Sequence, residues 1–186
     1  MDNLVFSCTD ALDQPSTPAC GVEYGERVVK VMFMKEGGSF TVASDVPTAA
    51  EFETAVTSGE ISVLDGITNG HRVEQGATEL SGDDTESGGT ERYDVVYRIE
   101  GRIKRVDETV SRATEKLSRY SVLRTWYITE KNYCFGGATG YAASPNFDLL
   151  VKEGKGTPPY IPFFCDFTAI GADYASFDAD YDDIAN

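Results

Sequence analysis

The stretch Tyr93–Lys104, Y-D-V-V-Y-R-I-E-G-R-I-K, alternates apolar and polar positions. Tyr93, Val95, Tyr97, Ile99 and Ile103 fall on one side of a pleated strand; Asp94, Arg98, Glu100, Arg102 and Lys104 fall on the other. Period-two alternation of this kind predicts a strand with one buried and one wet face. A strand of twelve residues would span roughly 40 Å, against a usual length of about 5–6 residues. One compact domain of this size does not cover such a strand. Two expectations follow: a sheet that continues into neighbouring copies, or a long hairpin arm on a monomeric sandwich.

Around it the pattern places further elements. Residues 3–9 alternate as a short strand, and Asp10 to Gly25 is rich in turn formers. Arg27–Lys35, R-V-V-K-V-M-F-M-K, is apolar on nearly both faces and reads as a central strand, with a hairpin return from Phe40 to Ala43. Pro47-Thr48-Ala49-Ala50-Glu51 opens a helix by a capping box, Thr48 with Glu51, and Gly59 stops it; the helix is expected on a sheet edge. Glu60–Ile67 returns to strand, and Asn69-Gly70 reads as a tight turn. Gln75–Thr90 has four glycines and four acids, with Leu80 its single strong hydrophobe. It is expected to be either a disordered loop or a docking arm.

After the long strand, Asp107 caps a helix over Glu108–Tyr120 with Val110, Ala113, Leu117 and Tyr120 on one face. Strands are expected at Val122–Thr129, Tyr133–Phe135, Phe147–Lys152 and Tyr160–Phe167, with Ala138–Asn146 as loop. Pro162 denies the last of these a ladder bond and argues for an edge or a bulge. The final fifteen residues carry five aspartates and no base, and read as a solvated, fraying acidic tail despite a possible stripe of Tyr174, Phe177, Tyr181 and Ile184. The 186 residues thus read as one mainly β (α+β) domain, a β-sandwich or barrel with one main flanking helix and a long β-hairpin arm at 75–90.

Composition adds a net charge of −15, from 31 acids and 16 bases. That balance opposes tight nucleic-acid binding, which needs phosphate neutralisation, yet it suits a surface past which DNA slides. The chain opens M-D-N-L-V-F and has no apolar run near eighteen residues, so neither a signal peptide nor a membrane span is expected. Cys8, Cys20, Cys134 and Cys165 form no C-x-x-C pair and are expected as reduced, mostly buried thiols. No metal, cofactor or catalytic residue is expected. Asp178-x-Asp180-x-Asp182 begins like a calcium loop but has Asp183 where glycine belongs. His71 has no nucleophile motif beside it, and Gly136–Gly140 lacks the lysine of a phosphate-binding loop.

The order of the arm Gln75–Thr90, the strand Tyr93–Lys104, the helix Glu108–Tyr120 and the strand Val122–Thr129 resembles the tail-tube proteins of long-tailed bacteriophages and their relatives in contractile injection machines. The segments P-T-A-A-E-F-E-T-A-V-T-S-G-E-I and Y-I-P-F-F-C-D-F look like virion proteins of phages with Bacteroidetes hosts. The resemblance implies a virion structural protein whose copies form homo-hexameric rings, stacked into a tail tube that conducts DNA without binding it. Its partners would be itself and other tail or connector proteins, with no membrane. Inter-subunit contacts are then expected at Gly76, Leu80, Asp83 and Asp84 on the arm and at Tyr93, Val95, Tyr97, Ile99 and Ile103 on the long strand. A head–tail connector or tail-terminator ring is the nearest rival. A soluble carbohydrate-binding sandwich, with Trp126 and the tyrosines as stacking platforms, is the rival from another class.

Overall fold

The computed structural model describes residues 27–38, 40, 46–81, 90–104, 106–152, 158–169 and 175–184. They form one antiparallel sheet of nine strands and two α-helices, the mainly β architecture that the alternation predicts. The strands are β1 (Val28–Lys35), β2 (Ile61–Leu64), β3 (Ile67–Ser81), β4 (Thr90–Ile103), β5 (Leu123–Thr129), β6 (Tyr133–Phe135), β7 (Tyr141–Phe147), β8 (Ile161–Ala169) and β9 (Ala175–Phe177). Helix α1 spans Ala49–Thr57 and α2 spans Glu108–Leu117.

The sheet runs β2-β1-β5-β7-β8-β4-β3. Its two ends, β2 and β3, are separated along the chain by only Asp65 and Gly66, the latter at φ 64°. Two residues cannot cross an open sheet of this width, so the sheet curls until its ends meet. An isolated bridge between Arg27 and His71 joins β3 back to the start of β1 and completes a barrel. Closure depends on Gly70, where a Cβ would lie 2.2 Å from the Val28 carbonyl oxygen. Asn69-Gly70 is therefore not a tight turn. Asn69, at φ 54°, sits at a register shift inside β3 that re-aims the strand from β1 to β4.

Odd-numbered positions fill the barrel: Val31, Phe33, Ile99, Ile103, Phe163, Cys165 and Phe167 are all nearly inaccessible. Leu117 of α2 joins them at one end of the barrel, with Val106 and Val110 packed beside it. Even-numbered positions of β1 and β5 (Met32, Met34, Trp126, Ile128) face outwards into a second core, covered by Ala49, Phe52 and Ala55 of α1 and by Tyr181 and Ile184. That double burial explains why Arg27–Lys35 is apolar on both sides. It also moves α1 from the expected sheet edge onto a sheet face.

Other expectations are corrected. Most of the described part of Gln75–Thr90 is strand, since β3 runs to Ser81 and β4 resumes at Thr90 opposite it. Ala138–Asn146 is not a loop, because Tyr141–Phe147 is β7; past Phe147 only Val151 makes a bridge, to Tyr160. Pro145 hid that strand, but β5 reaches only to Ala143, so Pro145 has a strand neighbour on one side alone. Pro162 lies one residue past the β7 pairing, where its carbonyl accepts from the Asp148 amide. The acidic end is ordered from Ala175, with β9 followed by a 3₁₀ turn at Ala179–Asp183. Helix α2 stops at Leu117, which leaves Tyr120 beyond it. The strand expected at residues 3–9, and the return strand but for Phe40, lie outside the described residues.

Candidate assembly surface

Strand β4 outruns its neighbour on the barrel side. Its pairing with β8 ends at Val95 opposite Ala169, whereas its pairing with β3 continues through Thr78–Tyr93 to Ser81–Thr90. From Gly76 onward β3 has β4 as its only strand partner among the described residues. The two strands therefore leave the barrel as a ribbon. Its base is anchored: the Arg72 guanidinium lies 4.8 Å from the Tyr97 ring centre and donates to the Tyr127 hydroxyl at 2.9 Å. Tyr97 in turn stacks on Phe167, with ring centres 5.8 Å apart.

The polar side of β4 forms the outer face of the barrel together with β8. Mixed sign was the sequence expectation for this face, and the charges are paired across strands. Arg98 makes a bidentate contact with Asp166 at 2.6 and 2.8 Å and lies over the Phe164 ring. Arg102 covers Tyr160, and His71 Nε2 lies 3.0 Å from a Glu100 carboxylate oxygen.

At the opposite end, α2 is inserted between the last residue of β4 and the first of β5, where β1 also finishes (Lys35 pairs with Leu123). Between α2 and the ends of β1 and β2 lies a groove of about 1050 Å³. Its floor includes Phe33, Leu117 and Leu123, and its rim carries Lys35, Arg112 and Lys116 as well as Glu60 and Glu108. The Lys35 ammonium lies 5.3 Å from the Tyr120 ring centre.

The residues expected at subunit contacts divide. Ile99 and Ile103 are 0% and 3% exposed inside the barrel, so their packing is already taken up by the subunit's own core. Val95 and Tyr97 are half-buried on the same strand nearer the ribbon, and Gly76 is exposed on β3. Leu80 and Tyr93 lie in the ribbon strands, while Asp83 and Asp84 fall outside the described residues. Trp126 is fully buried and its indole N–H donates to the Gly137 carbonyl at 2.8 Å, so it offers no exposed stacking platform. Cys134 and Cys165 are buried free thiols, and burial raises both pKa values, that of Cys165 to about 12. Cys8 and Cys20 lie outside the described residues.

Asp178, the first acid of the supposed calcium loop, is a double helix cap. One carboxylate oxygen accepts from Ala49 N at the start of α1, at 3.1 Å, and the other accepts from Asp180 N, also at 3.1 Å. Among the described residues no cluster of three or more potential ligands could hold a metal ion, and no helix is long and apolar enough to cross a membrane. Sequence reasoning missed Lys30, whose ammonium binds backbone carbonyls of the C-terminal segment; the signal was a lone charge inside an apolar strand.

No family model matches the chain, and no curated protein does. A solved structure that it matches is described as "Tail of empty GTA particle computed with helical refinement, C6 symmetry". The match covers 80% of this chain and 95% of that one, at 13% identity and a TM-score of 0.40. A likeness at that level carries nothing about what this chain does.

Proposed function

We propose that this chain is a non-catalytic structural subunit of a phage-type tail, whose copies associate into rings that stack as a tube and let DNA pass. The observation that carries the reading is the β3–β4 ribbon beyond Val95. A two-stranded ribbon is marginal alone in water, and an edge strand offers its backbone groups to any strand that can pair with them. A second copy is the partner always at hand.

The ribbon leaves the barrel at the end away from α2, so contact through it is head-to-tail. Heterologous contacts of that kind build rings or open filaments, according to the rotation they impose. The overall charge of −15 and the engagement of Arg98 by Asp166 support a wall that does not grip phosphate. On this reading the assembly belongs to the virion, needs no cofactor, and meets other tail or connector proteins at its ends.

Light scattering on the eluted protein, with negative-stain images, tests the reading. The expected result is rings or tubes for the intact chain and isolated subunits after deletion of residues 77–89. Single rings that never stack would favour a connector or terminator. A subunit that stays monomeric at high concentration overturns the proposal.

A further inference from the structure

The groove beneath α2 and the ribbon sit at opposite ends of the same barrel, and their chemistries are complementary. From Glu79 to Glu91 the chain reads E-L-S-G-D-D-T-E-S-G-G-T-E, with five acids, no base and one large hydrophobe, Leu80. The groove has an apolar floor of Phe33, Leu117 and Leu123, and three cations, Lys35, Arg112 and Lys116, on its rim. Its two acids do not cancel that character. Glu108 is held by Arg112 in an exposed i,i+4 pair at 2.5 Å, the sort of contact that contributes little and exchanges readily. In a chain with twice as many acids as bases, such a rim is a local exception.

The polarity follows from register alone. Ile103, where β4 ends, and Leu123, where β5 begins, both lie at the α2 end; Thr90, where β4 begins, lies at the far end with the ribbon. A tip within one subunit therefore points away from its own groove and can reach only that of another copy.

We propose that the groove bounded by α2, the end of β1 and the start of β2 receives the acidic ribbon tip, residues 79–91, of a second copy of this chain. Leu80 enters between Phe33 and Leu117, and the tip carboxylates meet Lys35, Arg112 and Lys116. The inference rests on the assembly reading above and specifies its axial contact. Such a joint is salt-sensitive, because exposed charge pairs are screened over about 8–10 Å at moderate ionic strength.

A charge swap tests it, read by sedimentation and negative-stain images. Arg112→Glu with Lys116→Glu changes two exposed residues and is expected to raise the concentration needed for assembly at least tenfold. Asp83→Lys with Asp84→Lys in the ribbon is expected to do the same. Mixing the two variants restores mixed assemblies, since each supplies the charge that the other lacks. Groove and tip variants that each assemble like the intact chain overturn the docking while leaving self-assembly standing. An intact chain that never assembles overturns both.

Discussion

The Lys30 ammonium, on the outward face of β1, donates to the Ile184 carbonyl at 2.9 Å across 154 positions of sequence. The same nitrogen donates to the Tyr181 carbonyl at 3.1 Å and to that of Asp182. These carbonyls end a 3₁₀ turn, where backbone acceptors lack partners of their own and favour a cation. Lys30 is 8% exposed, while Tyr181 and Ile184 are fully buried against α1 and β1. One buried cation thus pins an acidic segment onto the barrel wall.

Replacing Lys30 by Met keeps the aliphatic volume and removes the donor, which leaves several buried carbonyls unsatisfied. The expected loss is about 2–4 kcal/mol. Lys30→Arg is expected to fail as well, because a planar guanidinium cannot address three carbonyls grouped around one point. Urea unfolding gives the magnitude, and amide exchange at Tyr181 and Ile184 shows whether the segment is released. Unchanged stability and protection in Lys30→Met would remove the clamp from this account.

Closure of the barrel predicts a sharp contrast between two glycines of β3. A Cβ at Gly70 would meet the Val28 carbonyl oxygen at 2.2 Å and Ile67 Cγ2 at 2.7 Å. Backbone cannot step aside as a flexible side chain does, so Gly70→Ala is expected to cost about 3 kcal/mol or more. Gly76→Ala, with nothing within 4 Å of the added carbon, is expected to stay within about 0.5 kcal/mol. Equal melting temperatures for the two variants would mean that β3 does not approach β1 as described.

How far the fold was legible depended on whether local chemistry and tertiary demand agreed. The capping box of Thr48 and Glu51 forms as read, with Thr48 N to Glu51 Oε2 at 2.8 Å, because all its atoms lie within one turn. The alternation of β4 was equally plain, since the barrel interior needs every second residue. Asn69-Gly70 misled because the pair is as suited to a bulge as to a turn, and only the nearness of Val28 decides between them. The aspartates of the C-terminal segment masked its order: Asp178 acts as a cap and Lys30 supplies the counter-charge from far upstream. For the assembly surface, the ribbon could be read from length and composition, whereas the groove arises only when α2 meets the ends of β1 and β2.

Asp178 connects two elements that neither sequence distance nor helix propensity would join. Asp178→Ala removes an acceptor from Ala49 N and another from Asp180 N. Each lost cap is worth about 1 kcal/mol, so the expected cost is about 2 kcal/mol. Asp178→Asn keeps an acceptor oxygen and is expected to recover at least half of it. Calcium supplies a check on the alternative role. A rise in melting temperature on adding calcium to the wild-type protein, absent from Asp178→Asn, would show that the carboxylate is a ligand instead.

Alkaline pH should unfold this protein through its buried acids. Burial is the first cause of the rise at Cys165, from 9.0 to about 12, and of those at Cys134 and Tyr181. Unfolded, the thiols ionise near their ordinary value; folded, they keep their protons. Above about pH 9 the native state therefore binds more protons than the unfolded state, and stability falls as pH rises. The contribution of Cys165 is fully present below pH 9.0 and is lost on the climb towards about 12, at about 1.4 kcal/mol per pH unit. Lys30 acts in the opposite sense, since burial lowers its pKa and deprotonation relieves a cost, but it is common to wild type and variant and cancels between them. Cys165→Val conserves volume and is expected to match the wild type near neutrality to within about 1 kcal/mol. Between about pH 9 and 11 its stability should fall less steeply, by the slope of one proton. Urea midpoints for both proteins across that range, taken in the presence of reductant, decide the matter. Parallel slopes would show that the Cys165 thiol ionises as freely inside the barrel as outside it.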